Sequence, residues 1–249
     1  MKLLLIGVGN MGSAILKNLI NYDIKVVENN PKRLEYLKWN HPALEVLDTI
    51  PDITGYVVIL AVKPQALDTL ELRGKAKAII SILAGTPLSA LKYKIQADYY
   101  IRAMPNIAAL KQKSVTSIIG DEEFKDKAIE ILSSIGRTIW LDSEKELDIA
   151  TGLAGSAPAW LALVAEALSD GAVNLGLPRD KAYEYIPMLF EGVGALLDDE
   201  HPAVLKDKVM SPAGTTASGY ATLEKGRVRD SFIEAMMSAY QKSQELRKG

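Results

Sequence analysis

The stretch Met1-Lys2-Leu3-Leu4-Leu5-Ile6-Gly7-Val8-Gly9-Asn10-Met11-Gly12-Ser13-Ala14-Ile15-Leu16 decides the fold of this chain. Leu3 to Ile6 is a short, unbroken apolar run of strand length. It stops at Gly7-Val8-Gly9, and the apolar spacing then becomes helical. A strand, a glycine turn and a helix start, in that order, form the phosphate-binding opening of a dinucleotide fold. Gly7 is expected to permit the tight turn, Gly9 to let the backbone approach a pyrophosphate, and Gly12 to let the helix lie close on the sheet. The free N–H groups of the first helical turn would face the anion. Gly7, Val8, Gly9, Asn10, Met11 and Gly12 are therefore the first cofactor candidates.

Outward from that opening, the pattern continues as strand and helix in alternation. Ile24 to Glu28 reads as a second strand, after a helix from about Met11 to Asn21. Pro31 opens the next helix, through Trp39, with Asn29 or Asn30 as its cap. Glu28 ends its strand some 20 residues after the glycines, where an acid can hold the adenosine ribose hydroxyls; it reads equally well as an exposed strand-end carboxylate. By charge it would repel a 2′-phosphate, yet Lys32 and Arg33 lie close enough in sequence to receive one, so NADPH and NADH both stay open.

Tyr56 to Ala61 is a continuous apolar run like a central parallel strand. Val62-Lys63-Pro64 follows at its C-terminal end, the side on which open parallel sheets bind ligands. Ala78 to Ile82 repeats the pattern and ends in Leu83-Ala84-Gly85-Thr86. Further strands are expected at Tyr99–Ala103, Val115–Ile119 and Thr138–Leu141, with a helix over about Asp121–Ile135. Strands alternating with helices predict a doubly wound α/β domain over residues 1–143. Residues 144–249 carry no strand-like alternation. A helical run over 144–174 is expected to break or bend around Gly155–Pro158, with further helices over about 179–198, 203–209, from Thr216 to Leu223, and 228–246. So apolar an all-helical region would complete its core by pairing with another subunit.

Composition narrows the chemistry. The 249 residues hold 48% hydrophobic and 24% charged residues, a net charge of −2, no cysteine and two histidines. Thiolate catalysis, disulfides and histidine-rich metal sites are excluded. The charge gives no reason to expect nucleic acid or an anionic membrane as partner. The uncharged stretch Ile149–Ala165 falls short of the roughly 20 apolar residues of a membrane span. Only Lys2 precedes the apolar start, too little for a signal peptide, so the cytoplasm is the expected compartment. His41-Pro42 and His201-Pro202 read as loop and helix-cap positions. With no catalytic nucleophile in view, a bound nicotinamide must supply the reactive group. Ser211-Pro212-Ala213-Gly214-Thr215-Thr216 puts hydroxyls and backbone N–H groups around an anion-sized space before a helix. Alone it reads as a capped turn; beside a nicotinamide domain it becomes the natural clamp for a substrate carboxylate.

The chain resembles the pyrroline-5-carboxylate reductases over almost its whole length. The resemblance rests on Gly7–Gly12, Ala61-Val62-Lys63-Pro64-Gln65, Ser81–Gly85, Arg102-Ala103-Met104-Pro105-Asn106, Thr151–Ala159, Glu166–Gly171, Gly176-Leu177-Pro178, His201-Pro202, Ser211–Thr216, Leu223-Glu224 and Glu245-Leu246. It implies NAD(P)H-dependent reduction of Δ1-pyrroline-5-carboxylate to L-proline, by a Rossmann domain followed by a helical dimerisation domain. It further implies homodimers, often assembled into larger rings, with the substrate where one subunit's cofactor domain meets its partner's helices. The glycine loop, Ala61, Val62, Lys63 and Pro64, and the segment ending in Ala84 and Gly85 would hold the cofactor, together with Glu28, Asn29 and Asn30. Ser211, Ala213, Gly214, Thr215 and Thr216 would hold the substrate, with the Thr216 hydroxyl on the ring nitrogen as the catalytic group. Several departures stand out. Ala213 and Ala157 occupy family glycine positions and are expected to take right-handed or rearranged backbones. Leu83 replaces a small residue, Ile107-Ala108 replaces a stretch that usually has proline, and Glu28-Asn29-Asn30 lacks the arginine or serine often used for a 2′-phosphate. The other readings are a reductase of another cyclic imine or of a small hydroxy acid, and a non-catalytic NAD(P)-binding sensor or scaffold. The catalytic lysine of the hydroxy-acid dehydrogenases has no counterpart between Thr151 and Leu163.

Overall fold

The computed structural model describes residues 1–20 and 22–248, without side chains at 246–248. An eight-stranded sheet runs in the order β3-β2-β1-β4-β5-β6-β7-β8. Its strands are β1 Leu3–Ile6, β2 Ile24–Val27, β3 Glu45–Leu47, β4 Val57–Leu60, β5 Ala76–Ser81, β6 Ala97–Met104, β7 Ser114–Gly120 and β8 Gly136–Trp140. All neighbours pair parallel except β6 and β7. Successive side chains of a strand point to opposite faces. Leu3, Leu5, Val26, Ile59, Ile80 and Ile101 therefore enter one apolar core, and Leu4, Ile6, Val27, Val58, Leu60 and Ile79 another. Two covered faces are what a doubly wound sheet requires.

The helices of this half are α1 Asn10–Leu19, α2 Pro31–Asn40, α3 Leu88–Lys94 and α4 Lys125–Leu132. Asn30 caps α2, its side chain accepting from the Arg33 N–H at 3.2 Å. The expected end of the first helix at Asn21 lies outside the described residues. The helix expected over Asp121–Ile135 divides into α4 and a short 3-10 turn at each end.

The second half is helical: α5 Glu144–Ala150, α6 Ala157–Asn174, α7 Arg179–Asp199, α8 Pro202–Val209, α9 Thr215–Lys225 and α10 Val228–Lys248. Between α5 and α6, Thr151–Ser156 widens into a π turn. Pro158 has no N–H for the Ala154 carbonyl, and the Asn106 side chain donates to it instead at 3.0 Å. The helical run Glu144–Asn174 spans 31 residues and is long and apolar enough to cross a membrane, which the shorter stretch weighed in the sequence was not. That test rests on length and composition, which helices built to pack on other helices also pass.

The chain packs as two compact units, Met1–Ser156 with Ala239 onward, and Ala157–Ser238. The sheet unit takes in α5, which buries Leu147 and meets Arg102 there. Arg102 on β6 is 3% exposed and pairs with Glu144 and, at 3.5 Å, with Asp148 of α5. Gln244 of α10 donates to the same Asp148 at 3.0 Å. One buried guanidinium thus draws α5 to the sheet, and the carboxylate it meets takes in the end of the last helix.

Candidate functional site

The glycine loop closes the C-terminal end of β1. Gly7 has φ +94°, and a Cβ there would stand 2.8 Å from the Ala61 carbonyl oxygen. A Cβ at Gly12 would fall 2.2 Å from the Gly7 carbonyl oxygen, so α1 can only start this close to the turn without a side chain. Around Gly9 nothing lies within 4 Å of where a Cβ would be, which leaves an open approach to the loop. No side chain caps α1. Its first N–H groups and this bare backbone make a cradle that fits a pyrophosphate.

Neighbouring strand ends complete that edge. Ile6 pairs with Leu60, and Leu60 with Ser81, so Ala61–Pro64 and the Ser81–Gly85 segment leave the sheet beside the glycine loop. Ser81 is buried and its hydroxyl accepts from the Leu83 N–H at 3.3 Å; Leu83 is buried too. Gly85 turns with φ +72°.

Glu28 is 4% exposed, which removes the reading of an exposed strand-end carboxylate. One oxygen accepts from the Val8 N–H at 2.9 Å and the other from the Asn30 N–H at 2.8 Å. Arg33 lies 3.5 Å from it. The acid thus ties the glycine loop to the β2–α2 turn. A cavity of about 540 Å³ opens beside them, lined among others by Val8, Gly9, Asn10, Lys17, Arg33, Tyr36 and His41. Lys32 is not among its lining residues. Lys17, Tyr36 and His41 had no motif to mark them; α1 and α2 bring them together. His41 ends α2 and His201 opens α8, its Nδ1 accepting from the Ala203 N–H at 3.2 Å, both in the capping roles expected.

In the helical unit, Ser211–Thr216 forms a tight turn into α9. The Gly214 N–H donates to the Ser211 carbonyl at 3.0 Å, and Gly214 is the N-cap of α9 without a side-chain cap. A Cβ at Gly214 would stand 2.3 Å from the Ser211 hydroxyl oxygen. Ala213 takes φ +57°. The expectation of a right-handed backbone fails there: Ala213 is left-handed, at the third place of a turn whose second residue is Pro212. Ala157 opens α6 in ordinary helical geometry. Thr215 and Thr216 are exposed. Farther along α9, Arg229 of α10 and the Tyr220 hydroxyl hydrogen-bond Glu224 and hold its carboxyl below the usual carboxylate range. Among the described residues no group of acids and histidines could hold a metal ion.

Residues 144–246 match the family model for pyrroline-5-carboxylate reductase dimerisation, and residues 2–85 match that for NADP oxidoreductase, coenzyme F420-dependent. A pyrroline-5-carboxylate reductase of Synechocystis is 39% identical, covering 98% of this chain and 97% of its own. One from Pisum sativum is 35% identical, over 97% and 94%. The crystal structure of 1-pyrroline-5-carboxylate reductase from Streptococcus pyogenes superposes with a TM-score of 0.85 at 30% identity, covering 98% of each chain.

Proposed function

This chain belongs to the pyrroline-5-carboxylate reductase family and reduces Δ1-pyrroline-5-carboxylate to L-proline, and on that footing we propose which residues hold the two reactants, with NADPH as the reductant. When bound, the reduced nicotinamide supplies the hydride for the imine carbon. The Gly7–Gly12 cradle holds the pyrophosphate, with Ala61, Val62, Lys63, Pro64, Ala84 and Gly85 along the adjoining strand ends. Glu28 keeps the loop in shape through Val8 and Asn30, while Arg33, with Asn29 and Asn30 at the same turn, receives the 2′-phosphate. NADH, lacking that phosphate, is the poorer reductant.

The substrate is a flat imine bearing a carboxylate. The observation that carries the reading is the bare start of α9: Gly214 caps it without a side chain, leaving the N–H groups of Thr215 and Thr216 open beside the turn. These donors, with the Ala213 N–H and the Ser211 hydroxyl, anchor the carboxylate. The Thr216 hydroxyl hydrogen-bonds the ring nitrogen, orients it and relays to it a proton that the hydroxyl regains from solvent, which makes the imine carbon electrophilic. The chain works as a homodimer or a larger homo-oligomer in the cytoplasm, in the step that ends proline synthesis.

The test is turnover of pyrroline-5-carboxylate, followed by loss of the reduced nicotinamide's absorbance and by proline formed. Losing one contact of this kind costs about 2–4 kcal/mol at the transition state, so Thr216→Ala should lower kcat on the order of 30- to 1,000-fold and leave NADPH binding alone. Turnover within about threefold of the parent would remove Thr216 from the mechanism.

A further inference from the structure

The turn that receives the substrate is strained at one residue, and the strain comes from a single methyl group. Ser211 accepts from the Gly214 N–H, Pro212 occupies the second position and Ala213 the third, with φ +57°. A four-residue turn with proline second and a positive φ third has the form of a type II turn, whose third place is ordinarily glycine. A Cβ in that conformation crowds a neighbouring carbonyl oxygen. The relaxed alternative for the same four residues is a type I turn, reached by rotating the Pro212–Ala213 peptide so that Ala213 takes a negative φ. That rotation swings the Ala213 N–H away from its direction in the type II form. Strain of this kind is worth on the order of tenfold in the balance between the two turns.

We infer that Ala213 sets the affinity for the substrate: its methyl group disfavours the turn that presents the Ala213 N–H, and the substrate carboxylate must restore that turn on binding. This rests on the reading of Ser211–Thr216 as the carboxylate clamp. A protein whose binding-competent form is only partly populated binds with an affinity reduced by that fraction. The effect falls on the substrate and spares the dinucleotide.

Steady-state kinetics on Ala213→Gly and Ala213→Asn test this. Glycine removes the strain by removing the methyl group; asparagine tolerates the left-handed conformation while adding bulk. KM for pyrroline-5-carboxylate should fall about three- to tenfold in the glycine variant and fall in the asparagine variant too. KM for NADPH should not move. A fall with glycine but a rise with asparagine would mean that the methyl group merely occupies space, and would overturn the inference. So would a higher unfolding midpoint with no change in KM, since the strain would then be structural only. Thr216→Ala, measured alongside, separates the two readings. If it keeps its turnover, the clamp itself is misassigned and the inference goes with it. If it loses turnover while both Ala213 variants keep the parent KM, only the inference falls.

Discussion

The two halves of this chain use similar apolar content in opposite ways. In the sheet unit every residue of β1 and β4 is buried, and Leu3, Leu4 and Leu5 are wholly inaccessible. From Ala157 to Ser238 only Ser169 and Ala182 are buried. Leu163, Tyr185, Met188, Leu196 and Met237 stand between about half and two-thirds exposed. Soluble single chains rarely leave so many large apolar side chains in water, and broad exposed patches mark surfaces that another molecule covers. The first half is a finished core. The second is half of one, which agrees with its match to a dimerisation model. A second copy of the chain is the occupant we propose, since closed two-fold pairing is the commonest way to cover such a face.

Truncation in the finished core should have the largest effect. Ile80 on β5 is 0% exposed and lies between Ile59 and Ile101 in the sheet register. Ile80→Ala should cost about 2–5 kcal/mol. Its unfolding midpoint should drop by the same amount at every protein concentration. A cost below about 0.5 kcal/mol would place the core elsewhere.

The helical face should respond in the other manner. Leu163 is 64% exposed on α6. Leu163→Glu on a face that stays in water would change stability by less than about 0.5 kcal/mol. On a face covered by a second copy it buries a charge without a partner. Dissociation should then strengthen by on the order of a hundredfold, visible as a shift from dimer toward monomer in sedimentation as the protein is diluted. If the mass distribution at every dilution matches the parent's, residue 163 does not lie in the interface.

How much of this could be read along the chain follows from where each feature gets its energy. Strands buried on both faces announce themselves, because Val57-Val58-Ile59-Leu60 must be apolar throughout. The edge strand β3 does not: three residues beginning with Glu45 carry no periodicity to detect. The reversal of β7 against β6 has no local mark either, since strand direction is set by a short connection through Ile107–Lys111 and by partners. The bend near Gly155 was legible from its glycine and proline, though its form as a π turn depends on Asn106, 48 residues away. The packing boundary depended on Arg102 meeting α5, and Gln244 meeting Asp148 across 96 residues. In the candidate site the glycine loop was legible because Gly7 and Gly12 each answer a local steric need. Glu28 was visible as an acid, but its task was not, because Val8 and Asn30 reach it only after folding. Ala213 was visible as a departure, and its conformation was decided by the turn rather than by the residue.

The smallest effect concerns the cavity of the finished half, and it sharpens the contrast by showing that a complete core still leaves its ligand chemistry to the rim. Arg33 is about half exposed, 3.5 Å from the buried Glu28 carboxylate and on the wall of the cavity beside the glycine loop. The carboxylate already accepts two backbone N–H groups, so the ion pair is not needed to keep its oxygens satisfied. With the guanidinium half in water and 3.5 Å away, the pair contributes little to folding, about 0–1 kcal/mol. The guanidinium is therefore free to serve a phosphate, for which its fork of donors is suited. Arg33→Met keeps the apolar stem against α2 and removes the charge. It should raise KM for NADPH about tenfold, the size of one charge-assisted contact, and change KM for NADH less than twofold. Equal losses with both reductants would mean that Arg33 acts through Glu28 on the glycine loop, and the 2′-phosphate would then be recognised by another group at the β2–α2 turn.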